Sequence, residues 1–124
     1  MKHLLIMLMA MTLTATGAFA AENKKGYKPE KITLSGVLVD NKCAAAHRSN
    51  LEQFIKSHTK ECALKPDCAA SGYSLYHYGA LIRFDRESSK KIEQFLKKKG
   101  SSLSVIVEAE KSGNEYRLIS IRNK

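Results

Sequence analysis

The sequence predicts a β-rich α+β fold: an OB-like five-stranded barrel with a cysteine-containing helical insertion after strand 1 and a helix between strands 3 and 4. Three observations lead to it. Five short segments carry the β-branched and apolar residues typical of strands, and four of them fall into two pairs separated by glycine turns. One amphipathic segment, with its own start and stop signals, lies between those pairs. Strands this short leave poorly protected edges unless the sheet curls closed. A barrel is therefore expected over an open α+β sheet with both helices on one face, which shares the same connectivity.

Met1 to Ala20 opens with Lys2 and His3, runs apolar from Leu4 to Leu13 and ends at Ala18-Phe19-Ala20. A basic start, a short apolar run and an A-x-A site mark a cleaved secretory signal, and the run is too short to span a bilayer. The protein is expected in the periplasm or outside the cell. Residues 21–31 are polar, contain Gly26 and Pro29, and read as a flexible lead-in, which leaves 32–124 for one OB-like domain.

Ile32 to Asp40 is the first strand, with Gly36 where a bulge or a sharp coil needs it. The cysteine segment, 40–72, follows at once. Within it Ser49-x-x-Glu52 forms a capping box, and Leu51, Phe54, Ile55, His58 and Cys62 share one face of a helix of about 3.6 residues per turn. A continuous helix is thus expected to turn His58 and Cys62 toward the core, with Pro66 as its stop.

Tyr73 to Phe84 reads as a hairpin turning near Tyr78-Gly79-Ala80. Asp85 caps a helix that runs through Lys99, with Ile92, Phe95 and Leu96 as its apolar stripe. Lys97, Lys98 and Lys99 complement the negative end of that helix, and Gly100 supplies the residue after it. Leu103, Val105, Val107 and Ala109 alternate inward on the fourth strand. A turn at 111–114 and a last strand from Tyr116 to Ile121 complete the chain.

The 21 basic residues outnumber the 12 acidic ones, for a net charge of +9, and loss of the signal removes only Lys2 from that balance. Such a surplus favours an anionic partner, for an exported chain an anionic envelope component. The basic residues are scattered, however, and the tightest run already serves the helix end, so the charge reads first as a solvated surface. Tyr73, Tyr76 and Tyr78 can be cast as a platform for stacking nucleic-acid bases. Export argues against that partner, and tyrosine favours strands on its own account.

All three cysteines and two of the four histidines, His47 and His58, lie in the 40–72 segment. Zinc and softer transition metals take Cys thiolate and His nitrogen, and three intervening residues let two such ligands reach one ion from a single helical turn. Cys43-x3-His47 and His58-x3-Cys62 make two such pairs in mirrored order, with Cys68 as a fifth candidate ligand. Zinc is the first expectation and copper the second. The alternative is a disulfide-stapled structural or interaction module without a cofactor, because exported cysteines tend to pair. Cys62 and Cys68 are close enough in sequence for a local bridge, and Cys43 can reach either one. His77, among strand tyrosines, reads as packing.

Catalysis is not expected. A nucleophilic cysteine needs a base within reach and a third group to hold that base. Cys43 with His47, or Cys62 with His58, meets the first condition, but no orienting group is readable and there is no Cys-x-x-Cys.

The stretches GVLVDNKCAAAH and HTKECALKPDCAASGYSL, the Arg-Phe-Asp segment at 83–85 and the closing V-x-V hairpin together resemble a group of small exported bacterial proteins marked by an HxxxCAxxxxCxxSG block. The resemblance covers nearly all of the chain after the signal. It implies export and one compact β-rich domain, and it brings no activity, substrate or cofactor to any residue.

Overall fold

Alternation of apolar and polar residues draws Lys31–Asp40 into the first strand, β1, and Gly36 lets it serve two neighbours. Its first half pairs with a later strand, its second half with the strand that follows the cysteine segment. A Cβ at Gly36 would stand 2.2 Å from the carbonyl oxygen of Tyr76, so only glycine permits the close approach at the changeover. The structure, a computed structural model, describes residues 26 and 28–124. The expected signal at 1–20 lies outside them.

Beyond β1 come four short helices, α1 (Asn41–Ala46), α2 (Leu51–Ile55), α3 (Lys60–Ala63) and α4 (Pro66–Ala70), with a 3-10 turn at Arg48–Asn50. Then follow β2 (Tyr73–His77), β3 (Ala80–Arg83), α5 (Arg86–Lys97), β4 (Ser104–Ser112) and β5 (Glu115–Asn123). The five strands form one antiparallel sheet in the order β3-β2-β1-β4-β5. The β2–β3 hairpin turns at Tyr78 and Gly79, both at positive φ. Asp85 caps α5 by accepting the Ser88 N–H at 2.8 Å, as its position in the sequence foretells.

The sheet is not closed into a barrel. Among the described residues, its outer strands meet through one parallel bridge, Phe84 to Tyr116, beside a 2.9 Å hydrogen bond from Asp85 N to Tyr116 O. The reason lies in α5. β3 ends after four residues and the helix starts almost immediately, so α5 occupies the gap that a strand ladder would have filled. Ser88 Oγ accepts the Leu118 N–H of β5 at 2.7 Å, and Ser89 Oγ accepts the Tyr73 N–H of β2 at 3.0 Å. Two buried serines thus satisfy backbone groups of the edge strand β5 and of the first residue of β2.

Ile92 and Leu96 of α5 close over Leu38, Leu75, Val105, Val107, Ala109 and Leu118, and Tyr73 and Phe84 complete the same core. Each large aliphatic side chain buried there contributes roughly 1.5–3 kcal/mol. No helix among the described residues is long and apolar enough to cross a membrane.

The continuous helix expected from Ser49 to Cys62 does not form. The residue preceding α2 is Asn50, whose side chain makes no capping hydrogen bond, and α2 ends after Ile55. Ser57 Oγ then bonds the Phe54 carbonyl at 3.1 Å, and Thr59 opens a new helix by accepting the Cys62 N–H at 3.2 Å. Hydroxyl side chains that bond nearby backbone compete with helix propagation, and two in three residues break it here. Pro66 likewise starts α4 instead of ending a helix, since its missing N–H costs nothing in a first turn.

Both ends of the 41–72 excursion are sewn together. Asn41 N donates to Gly72 O at 2.9 Å, Asn41 Nδ2 to Ser71 O at 2.9 Å, and Lys42 N to Ser71 Oγ at 3.0 Å. Further in, Tyr73 OH donates to Ala63 O at 2.8 Å and Lys60 Nζ to Ser101 O at 3.0 Å, which pins α3 to the sheet and to the loop after α5.

Candidate metal centre

Asp40 ends β1 and caps α1. Its Oδ1 accepts the Cys43 N–H at 2.8 Å, which fixes the first turn of α1 and holds Cys43 beside the carboxylate. The break between α2 and α3 places His58 on a non-helical stretch, and α3 brings Cys62 within 4.8 Å of it. Cys68, on α4, groups with Asp40 and Cys43.

Two sets of donor atoms come within 4.8 Å of one another: Cys43, His58 and Cys62, and Asp40, Cys43 and Cys68. In a tetrahedral zinc site, bond lengths of about 2.0–2.3 Å put neighbouring ligand atoms roughly 3.5–4 Å apart, so the first set is near enough to hold an ion after small side-chain shifts. All three cysteines are free thiols, with no disulfide at bonding distance.

The interior of this cluster is short of partners. His58 Nε2 and Asp40 Oδ2 are 3.1 Å apart and both side chains are fully buried. The approach is not aligned as a hydrogen bond, and Oδ2 and both ring nitrogens of His58 have no hydrogen-bond partner. Buried polar atoms are ordinarily hydrogen-bonded, so these three, two of them set against each other, are an exception beside the cysteine thiols.

Burial works to raise the Asp40 carboxyl, but His58 and the Cys43 N–H outweigh it and hold it below the usual carboxylate range. The Cys43 thiol is pushed up to about 12, by burial first and by the Asp40 charge second, and Cys68 is raised for the same two reasons. Both thiols are therefore held in the protonated form, and a metal ligand at either position must first give up its proton.

The expected ligands separate into two groups. Cys43, His58, Cys62 and Cys68 all belong to the cluster. His47 does not: its ring stacks on Phe54 with centroids 3.8 Å apart, and Phe54 in turn tilts against His58 at 5.0 Å. The His47 ring thus supports the wall behind His58. His77 bonds Ser35 O at 2.6 Å through Nδ1, as a strand histidine would. Asp40 was not foreseen as a member, and its only sequence signal is its place as a capping residue two positions before Lys42-Cys43.

A separate cavity of about 470 Å³ beside α5 is lined by neither His58 nor a cysteine. It sets Arg83, Arg86 and Lys90 against Glu93 and Glu115, which gives it no single charge preference. Comparisons with protein-family models, with curated proteins and with solved structures find no match to this chain.

Proposed function

We propose that the protein is a small exported metal-binding protein whose 41–72 excursion, with Asp40, holds a transition-metal ion through Cys43, His58 and Cys62. The observation that carries this reading is the convergence of those three donors around buried atoms with no other partner. Zinc fits best, since two thiolates and an imidazole suit a borderline cation, and copper is the second choice. Asp40 beside His58 fits the carboxylate–histidine pairing that orients metal-bound imidazoles.

Binding, and not turnover, is the role proposed. An activated cysteine has its thiol lowered toward neutrality, whereas Cys43 and Cys68 are raised. For the fold, the Phe84–Tyr116 bridge and the element order support an OB-like Greek key left open at one seam. Export rests on the composition of residues 1–20 alone.

The test is metal analysis of untagged protein purified from the envelope fraction, with free thiols counted under denaturing conditions. Zinc bound at one equivalent or more, with three thiols recovered after chelation, is the expected result. Fully folded, metal-free protein with two cysteines bridged would overturn the proposal in favour of the disulfide-stapled module.

A further inference from the structure

We infer that the cluster is a two-ion site in which Cys43 is shared: one divalent cation held by Cys43, His58 and Cys62, and a second by Asp40, Cys43 and Cys68. This rests on the reading above and extends it to residues that the first ion leaves unused. Cys68 groups with Cys43 and Asp40, and not with His58 and Cys62. A single ion placed among Cys43, His58 and Cys62 therefore leaves unused the second donor set, in which Asp40 and Cys68 lie within 4.8 Å of the Cys43 sulfur and of each other.

Asp40 is the independent pointer to a ligand there. It is fully buried, its Oδ1 is committed to the Cys43 N–H, and its Oδ2 has no aligned hydrogen bond, only the His58 ring nitrogen 3.1 Å away. Lys42, the nearby cation on α1, is exposed and paired with Asp67 at 3.2 Å, so it does not enter to neutralise the carboxylate. A buried carboxylate requires a positive charge or a donor close by, and the His58 ring 3.1 Å from its Oδ2 is itself a ligand of the first ion and neutral in that role.

Charge balance favours two divalent ions. With His58 neutral as a ligand, one such ion is balanced by the Cys43 and Cys62 thiolates, and Asp40 stays uncompensated. A second is balanced by Asp40 and by Cys68 once its proton has left to solvent. Thiolate sulfur has the lone pairs to bridge two metals, and ions in paired sites lie about 3.5–4 Å apart. Monovalent copper leaves half of the negative charge in place, so the two-ion arrangement selects a divalent borderline cation such as zinc.

The experiment titrates the reduced, metal-free full chain with zinc alone, counts bound ions by native mass spectrometry, and seeks a metal–metal path by X-ray absorption. Two ions per wild-type chain, one per Cys68→Ser chain, and zinc–zinc scattering at about 3.5–4 Å are expected. Serine is close to cysteine in size, and circular dichroism checks that the variant folds; the wild-type count decides even if it does not. One ion in the wild type would overturn the second site and leave the first standing. Two ions in both proteins would remove Cys68 from the site, and no zinc in the wild type would remove both readings together.

Discussion

His58 Nε2 stands 3.1 Å from Asp40 Oδ2 with both side chains shut away from solvent, although the two residues lie on separate elements divided by three helical segments. One carboxylate therefore steers two potential ligands, His58 by proximity and Cys43 through its backbone N–H. That double duty can be separated by mutation.

Asp40→Asn keeps an oxygen that can accept the Cys43 N–H and removes the charge; Asp40→Ala removes both. Metal-free Asp40→Ala is expected to be less stable than Asp40→Asn by about 0.5–2 kcal/mol, the usual worth of an N-cap. The Asp40 carboxyl is lowered in the folded protein, so its stabilising contribution is present above the unfolded carboxylate pKa and fades as pH falls through the folded value. Urea midpoints recorded from about pH 6 down to about pH 3 should fall more steeply for wild type than for Asp40→Asn.

Metal binding should appear as thermal stabilisation. At zinc concentrations about 100-fold above the dissociation constant, linkage adds roughly 2.7 kcal/mol. For a domain of this size that raises Tm by about 10–20 °C. Differential scanning fluorimetry with zinc and then with excess chelator measures it, and His58→Ala should lose most of the rise. An unchanged Tm on chelation of zinc-loaded wild type would contradict the site.

Thiol accessibility gives a third check. In the metal-free reduced protein at about pH 8, Cys43 and Cys68 should alkylate far more slowly than a solvent thiol, because burial and the Asp40 charge hold both thiols protonated. Peptide mapping after timed iodoacetamide pulses resolves the order. Zinc should protect Cys43 and Cys62 together, and equal rates with and without zinc would argue against their joint ligation.

Gly36→Ala probes the frame that carries the site. The added methyl would stand 2.2 Å from the Tyr76 carbonyl oxygen, so β1 and β2 must move apart at the changeover. A loss of roughly 1–3 kcal/mol is expected in denaturant unfolding. Since β1 delivers Asp40 and β2 follows directly on α4, zinc affinity should fall as well.

The strands and α5 were readable because each rests on a local rule: alternation, a Tyr78-Gly79 turn, an Asp85 cap. The excursion was not, because its rules compete. Ser49 and Glu52 spell a capping box, yet Asp40 and Thr59 do the capping, and only the tertiary position of the chain decides between them. Cys43, His58, Cys62 and Cys68 were legible as candidates from residue type. Asp40 was hidden because its partner is distant in sequence and a carboxylate at a strand end has an ordinary explanation. The open seam was hidden for a similar reason, since nothing in the hairpin patterns reveals that Ser88 and Ser89 would face backbone of β5 and of β2.

The pairing of Asp40 directly with Tyr73 means that, to the sheet, everything between them is the tip of a hairpin. The cost of closing a loop grows only slowly with its length, about 0.6 kcal/mol per doubling, so change in that tip is limited instead by Ala63, which lies in the core and accepts the Tyr73 hydroxyl. Three thiols and an imidazole are thus carried within one hairpin tip, while the carboxylate beside Cys43 and His58 belongs to the strand that opens it.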